Sequence, residues 1–268
     1  MIRQLYKFYA FIARDMLQLA SYRMAFVLQV VGMFFSLLVF FFITKMIDPN
    51  APGLNGIPPF DFQLVGLAFL GYFSTALYAF SGKVRGEQML GTLEAMLVSP
   101  TRTSVIFFYS AAWDFTFGAF RVALMLLIAT LVFGVKLHLA SPLALFLGLA
   151  LTLLSSAGIG ILTASFIVYF KRGDPINFLL SGATSLFGGG FFPVETLPPW
   201  LQVFSKWVPL YWSLEVVRGS LLQGKDLGQL RKELFVLAIL TVTLLPLGVF
   251  ASRFAIRRAK REGSLIQY

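Results

Sequence analysis

The sequence contains no cysteine and a single histidine, His138, in 268 residues. Disulfides and thiolate metal sites are therefore excluded. Because His138 has no second ligand at metal-binding spacing, we expect a surface histidine and no metal site. Charged residues are also scarce, at 13% of the chain compared with about 25% in globular proteins. With 58% hydrophobic residues, too little polar surface is left to coat a soluble body, which predicts an integral membrane protein.

Common catalytic motifs are absent as well. The Gly-Lys pairs that end at Lys83 and Lys225 lack the upstream glycine and the following serine or threonine of a phosphate-binding loop. There is no GxSxG, no HExxH and no pair of carboxylates placed for acid–base chemistry. We therefore predict that the chain is not an enzyme, holds no cofactor and cannot hydrolyse ATP by itself. Any ATP-driven activity would need a partner protein.

Apolar runs dominate what is present. We predict six membrane spans, each close to the roughly 20 residues needed to cross the hydrocarbon core, at residues 25–46, 62–80, 104–135, 143–170, 176–192 and 234–254. The net charge of +10 is carried by Lys and Arg at the ends of these runs, which favours lipid contact over nucleic acid. Fourteen of them lie on one side and seven on the other, which places both termini in the cytoplasm.

The predicted fold is an all-α, multi-pass protein of the inner or plasma membrane, with residues 1–268 forming one transmembrane domain. Read as a helix, residues 1–23 have apolar residues on one side and basic residues on the other, as is typical of an interfacial helix on the cytoplasmic face. Residues 253–261 form a basic cluster suited to anionic lipid. In the fourth span, Ser156, Gly160 and Ala164 recur every four residues, which predicts close helix packing.

Residues 83–103, between the second and third spans, form the one amphipathic segment between two long apolar runs. Leu90, Leu93 and Leu97 recur at helical spacing and give one apolar stripe, while Glu87 and Glu94 share another face. One interpretation is a helix lying in the membrane interface. The other is a docking helix for a soluble partner, which the two acids favour because interfacial helices usually carry Lys and Arg.

The third span contains two charged residues, Asp114 and Arg121, seven positions apart and hence on one face of a helix. Charged groups at membrane depth are costly and usually face the bundle interior or water. One interpretation is an intramembrane ion pair between the two side chains. The other is a polar element of a transport path.

Residues 193–224 are apolar but too broken by proline to cross the membrane. Two short helices separated by Pro209 predict a re-entrant or interfacial hairpin on the outer side, between the fifth and sixth spans. Glu215 and Arg218 are spaced for an ion pair on the second of these helices. The hairpin is either an aromatic anchor at headgroup depth or a lid over an exit path, which the preceding glycines 188–190 would allow to flex.

Three stretches share their order and spacing with a known family. They are RGEQMLGTLE at 85–94 with LVSP at 97–100, GFFPV at 190–194 with LPPWL at 197–201, and PLYW at 209–212 followed by Arg218 and Gly219. In these stretches the chain resembles the permease subunits of type-2 ATP-binding-cassette (ABC) exporters. It departs from them at residues 86–88, where a single acid stands in place of a cluster.

This resemblance implies a half-transporter that forms a homodimer and binds two copies of a soluble ABC ATPase, which carries ATP–Mg. An amphiphilic substrate, such as a lipid-linked glycan, a drug or a lipid-like molecule, would move outward along the first and fifth spans. A cytoplasmic coupling helix would dock the ATPase through Glu87, Gln88, Leu90, Gly91, Thr92, Leu93, Glu94 and Leu97. The outer gate would comprise Pro193, Leu197, Pro198, Trp200, Trp207, Tyr211, Trp212 and Arg218.

A secondary carrier driven by an ion gradient is the alternative. Carriers of that class usually show inverted repeats and several ionisable residues near the bilayer midplane. This sequence has no obvious repeat, and Asp114 and Arg121 are the charged residues at depth. The alternative predicts transport without any ATPase partner.

Overall fold

In a computed structural model, the described residues are 23–89, 103–138, 140–170 and 174–261, and most of them are helical. The helices are α1 (Arg23–Thr44), α2 (Pro59–Met89), α3 (Thr103–Phe133), α4 (Pro142–Phe170), α5 (Asp174–Phe187), α6 (Pro199–Ser205), α7 (Pro209–Leu221) and α8 (Arg231–Arg261), with one 3₁₀ turn at Val194–Thr196. The all-α prediction is confirmed over these ranges. The predicted interfacial helix falls, except for its last residue, outside them.

Five of these helices are long and apolar enough to cross a membrane: α1, α2, α3, α4 and α8. They coincide with the first, second, third, fourth and sixth predicted spans. Large apolar side chains such as Phe35, Leu131 and Phe250 are exposed on the outside of the bundle, which is the pattern expected for contact with lipid rather than water. The protein is a multi-pass membrane protein. His138, in the loop after α3, is exposed as predicted.

The fifth predicted span differs in length from its prediction. The helix there, α5, has 14 residues, which corresponds to about 21 Å at the usual helical rise and is shorter than the roughly 30 Å hydrocarbon core. It ends at Phe187 because three glycines follow, and Gly189 has a positive φ of 71° that continues no helix. A sixth crossing of the membrane stays a prediction.

Helix α2 is the centre of the bundle. Within its membrane-length part, Pro59–Gly82, 72% of the most apolar window is buried, against 6% for α1. Phe69 and Phe73 of α2 share one hydrophobic cluster with Leu210 and Leu214 of α7. In a membrane, van der Waals packing of such side chains, rather than their removal from water, holds helices together. The other helices are therefore arranged around α2.

Glycines set the closest helix–helix approaches. A Cβ atom on Gly158 of α4 would lie 2.8 Å from the backbone of α8 at Leu244, and one on Gly248 would lie 2.5 Å from the Gly158 carbonyl oxygen. A Cβ atom on Gly160 would lie 2.9 Å from the Leu77 carbonyl oxygen of α2. The close packing predicted from the small residues of the fourth span is confirmed at Gly160. The α4–α8 contact depends on glycine in both helices.

We predict that Gly158→Val lowers the free energy of unfolding by about 1–3 kcal/mol, because the added carbons force α4 and α8 apart. The measurement is thermal unfolding in detergent. Gly82→Val is the matched control, since a Cβ atom on Gly82 meets no described atom within 4 Å. Equal unfolding midpoints for the two variants would contradict the prediction.

Candidate functional site

A buried arginine connects three separate parts of the chain at one end of the bundle. Arg218 lies in α7 and is only 4% exposed. Its Nη2 atom donates hydrogen bonds to the carbonyl oxygens of Phe62 (3.0 Å) and Gly189 (2.9 Å). Its Nε atom lies 3.3 Å from the same Phe62 oxygen. One side chain therefore holds α7, the beginning of α2 and the glycines after α5 together.

The ring of Phe62 covers the guanidinium group. The central carbon of that group lies 3.4 Å from the ring centroid, a cation–π contact that strengthens when both groups are desolvated. Burial lowers the pKa of Arg218 to about 9, so the group stays charged at neutral pH. Because a buried charge is costly unless it is hydrogen-bonded, the carbonyls and the ring together offset the cost of desolvation.

The segment 188–193, which we name the glycine segment, lies directly on α2. The Nε2 atom of Gln63 donates a hydrogen bond to the Phe191 carbonyl oxygen at 2.8 Å. A Cβ atom on Gly66 would overlap the Gly190 carbonyl oxygen, and one on Gly190 would overlap the side chain of Leu70. Position 66 therefore requires glycine for this approach of one backbone to another. At position 190 the nearest atom belongs to the flexible end of the Leu70 side chain.

The residues predicted for the outer gate fall into two groups. Trp200 and Trp207, in and just after α6, are 67% and 74% exposed. In contrast, ten residues of α7 from Pro209 to Leu221 are buried, including Arg218. Tyr211 and Trp212 are half-buried at the beginning of α7, and the Trp212 indole donates to the Lys206 carbonyl oxygen at 2.9 Å.

The remaining gate positions connect these groups. Pro193 and Leu197 flank the 3₁₀ turn, and Pro198 precedes α6. Val194 of the 3₁₀ turn is buried. The hairpin thus consists of an exposed aromatic arm, α6, and a buried stem, α7, rather than a uniform surface anchor.

The two charged residues of the third span occupy different surroundings. Arg121 lines a cavity of about 320 Å³ between α1, α2 and α3, together with Gln29, Ser36, Tyr72 and Thr75. Asp114 lies in α3 two helical turns earlier, about 10 Å away along the helix axis at the usual rise, and is not part of the cavity wall. The ion pair between them stays a prediction.

Residues 6–222 match a family model described as ABC-2 type transporter. The chain belongs to this family. It is 27% identical over 161 residues to the probable multidrug ABC transporter permease YbhR of Escherichia coli strain K12, a match that covers 60% of this chain and 43% of that relative. The protein of the same name from E. coli O157:H7 matches to the same extent. The chain thus spans less than half the length of the curated relatives it matches, and the expected type-2 ABC permease subunit is confirmed.

The positions predicted to dock an ATPase on this permease are described only in part. Helix α2 continues without a break from the membrane-length part to Met89, so the backbone at Glu87 and Gln88 is helical. Leu90, Gly91, Thr92, Leu93, Glu94 and Leu97 lie outside the described residues. The prediction had the second span ending near residue 80. The helix runs on although Gly82 and Gly86 lower its intrinsic propensity, since no proline interrupts the sequence between Pro59 and Pro100.

Glu215 and Arg218 are spaced for an ion pair in the sequence. In the structure, the hydrogen bonds of the Arg218 guanidinium run to the carbonyl oxygens of Phe62 and Gly189 instead. Glu215 is half-buried in the permease. Burial raises the pKa of its carboxyl group, and the positive charge of Arg218 opposes that shift. The carboxylate therefore acts on Arg218 through its field, while the hydrogen bonds of the guanidinium run to carbonyl oxygens.

The sequence analysis did not identify the α2 residues that contact the glycine segment. Gln63 and Gly66 are spaced three residues apart, and hence lie on one helix face, within an apolar run where each is out of place. A polar side chain beside a glycine in a membrane helix is typical of a close helix contact. That signal was available, whereas the partner segment at residues 188–193 could not be deduced from α2 alone.

We predict that Arg218→Met lowers the free energy of unfolding of the permease by about 2–4 kcal/mol, because two buried carbonyl groups lose charged donors. Arg218→Lys should recover less than half of the loss, since an ammonium group cannot reproduce the planar fork. Thermal unfolding in detergent measures both. Arg231→Met, at an exposed arginine, is the control, and an equal effect there would contradict the assignment.

We also predict a dependence of stability on pH that Glu215 causes. Because its carboxyl pKa is raised above 4.5 in the folded protein, the folded state binds a proton more readily than the unfolded state. Stability is therefore highest below this value and falls as the pH rises through the folded pKa, then stays level. Glu215→Gln should remove this fall. Unfolding midpoints between about pH 4 and pH 8 test it, and an unchanged slope in the variant would contradict it.

Proposed function

We propose that this chain is the membrane-spanning half of an ABC exporter that moves an amphiphilic substrate outward across the inner or plasma membrane. In this proposal, both termini face the cytoplasm and two copies form the transport path. Two copies of a soluble ABC ATPase, carrying ATP–Mg, supply the energy. Family membership supports the proposal. The lack of a phosphate-binding loop in this sequence supports the need for a partner.

The continuity of α2 is the observation on which the proposed mechanism depends. This helix has 31 residues, which corresponds to about 46 Å at the usual helical rise. Phe62 and Gln63, near its beginning, contact Arg218 and the glycine segment. Its last residue, Met89, directly precedes the rest of the proposed docking segment 83–103. A rigid helix can therefore carry a displacement from the ATPase side to the outer end.

The outer end would act as a gate. Arg218 ties the glycine segment and α7 to α2, so a tilt of α2 would move these elements together. The glycines supply backbone freedom at the end of α5, where the chain must bend as the elements move. Switching between two packed arrangements of this kind is typical of transporters with alternating access.

The exposed faces of α1 and α5 suit a second copy and a path between the two. Phe35 and Phe42 of α1 and Phe178 and Leu179 of α5 are large, apolar and exposed. An isologous dimer would cover part of such a surface, and the rest would line the path or contact lipid. In this arrangement α5 and the glycine segment complete the sixth crossing.

We predict that the double charge reversal Glu87→Lys with Glu94→Lys abolishes both copurification with the cognate ATPase and stimulation of its activity in liposomes. Repulsion replaces attraction at the docking face. The matched control is Asp48→Lys with Asp226→Lys, which makes the same change in charge at two exposed loop positions at the opposite end of the bundle.

Two results would contradict the proposal. The first is full ATPase coupling in the Glu87 and Glu94 double variant. The second is transport by the purified chain in liposomes with a proton gradient and no ATPase, which is the outcome that the ion-driven carrier predicts.

A further inference from the structure

The cavity beside Arg121 is open to the surface of the bundle. It lies between α1, which has only Leu37 and Thr44 buried, and the tightly packed pair α2 and α3. Gly32 on α1 and Gly71 on α2 line it, and a Cβ atom on either glycine would meet nothing within 4 Å. Ser36 is exposed at its edge. These glycines leave room between α1 and α2, so the cavity is a cleft at the surface of the described bundle.

Arg121 gives this cleft a net positive charge. It is the ninth residue of the membrane-length part of α3, Trp113–Phe133, and therefore lies close to the middle of the span. None of the described residues that line the cleft is acidic. Charged residues at this depth are expensive and usually belong to a pathway or ligand site. The described cleft wall thus offers a positive charge and no negative one, which suits an anionic ligand.

The rest of the wall divides into polar and apolar parts. Gln29, Ser36 and Tyr72 supply amide and hydroxyl groups that can donate hydrogen bonds to an anion. Met33, Leu67, Val122 and Met125 supply apolar surface. A volume of about 320 Å³ is at the lower end of the range for small-molecule sites. It accommodates a headgroup and the first carbons of a chain but not a whole lipid.

We propose that this cleft binds the anionic headgroup of an amphiphile, with Arg121 as its charge partner and the chain of the ligand lying along α1 and α2. Phosphate, sulfate and carboxylate headgroups share the required chemistry. Its role as a substrate site rests on the proposed function of the chain as an exporter subunit. The binding itself does not.

The test compares two amphiphiles with the same chain in dodecyl maltoside: dodecyl phosphate and dodecylphosphocholine. Native mass spectrometry measures binding of each amphiphile, and the shift of the unfolding midpoint on adding it is a second measure. The protein should bind dodecyl phosphate at least about tenfold more tightly, since the zwitterion cancels the charge that Arg121 recognises. Inorganic phosphate alone should not bind measurably, because it lacks the chain; tight binding of it would instead identify a site for free anions and overturn the proposal.

Substitutions distinguish the contribution of the Arg121 charge from that of the open volume of the cleft. Arg121→Gln should remove the preference for dodecyl phosphate, while Arg121→Lys should keep most of it. Gly71→Leu should weaken both amphiphiles because it fills the cleft, and Ala123→Leu, at an exposed position of α3 outside the cleft, should weaken neither. Equal affinities in the unaltered protein, an unchanged preference in Arg121→Gln, or unimpaired binding in Gly71→Leu would overturn the proposal. The Gly71→Leu result stands even if Arg121→Gln fails to fold.

A separate assay distinguishes failure of the site from failure of the proposed function. In the reconstituted complex with its ATPase, dodecyl phosphate should stimulate ATP hydrolysis, and Arg121→Gln should abolish that stimulation. Binding without any stimulation would reject the substrate role and leave the site intact. Stimulation that persists in Arg121→Gln would support an exporter and overturn this site.

Discussion

The contact on which this architecture depends is between one buried guanidinium group and two carbonyl oxygens from distant parts of the chain. Arg218 joins Phe62 at the beginning of α2 to Gly189 after α5. An arginine at 4% exposure would cost several kcal/mol if these bonds were not made. The cost of burying Arg218 is offset only when α2, the glycine segment and α7 are assembled together.

Around that contact the molecule divides into a tightly packed part and a loosely packed part. Helices α2, α4, α7 and α8 are held close by glycines and small residues, while α1 lies against α2 and α3 with little buried surface. Tight packing suits elements that transmit force, since close-packed groups deform little. The loosely held helix borders the cleft that contains Arg121, where room for a ligand requires incomplete packing.

The sequence alone predicts the helical class and six spans, five of which are long apolar helices in the described residues, because hydrophobic length is set by the bilayer and is local in the chain. It also identified residues 193–224 as too broken to span lipid. It did not predict the burial of α7, because that depends on Leu210 and Leu214 packing against Phe69 and Phe73, which are far away in the chain. Nor did it predict the cleft, because a cavity between three helices depends on their relative positions. Arg121 was recognisable as a charge at depth, but its surroundings were not.

The central claim is that nucleotide-driven motion reaches the outer end of the bundle through α2 and Arg218. Because the chain has no cysteine, Trp207→Cys gives one spin label per subunit on the exposed arm of the hairpin. The direct test is the distance between the two labels in the proposed dimer, reconstituted with the proposed ATPase partner, with and without bound ATP. The account predicts that ATP changes this distance and that Arg218→Gln abolishes the change. An equal change in both proteins would contradict it.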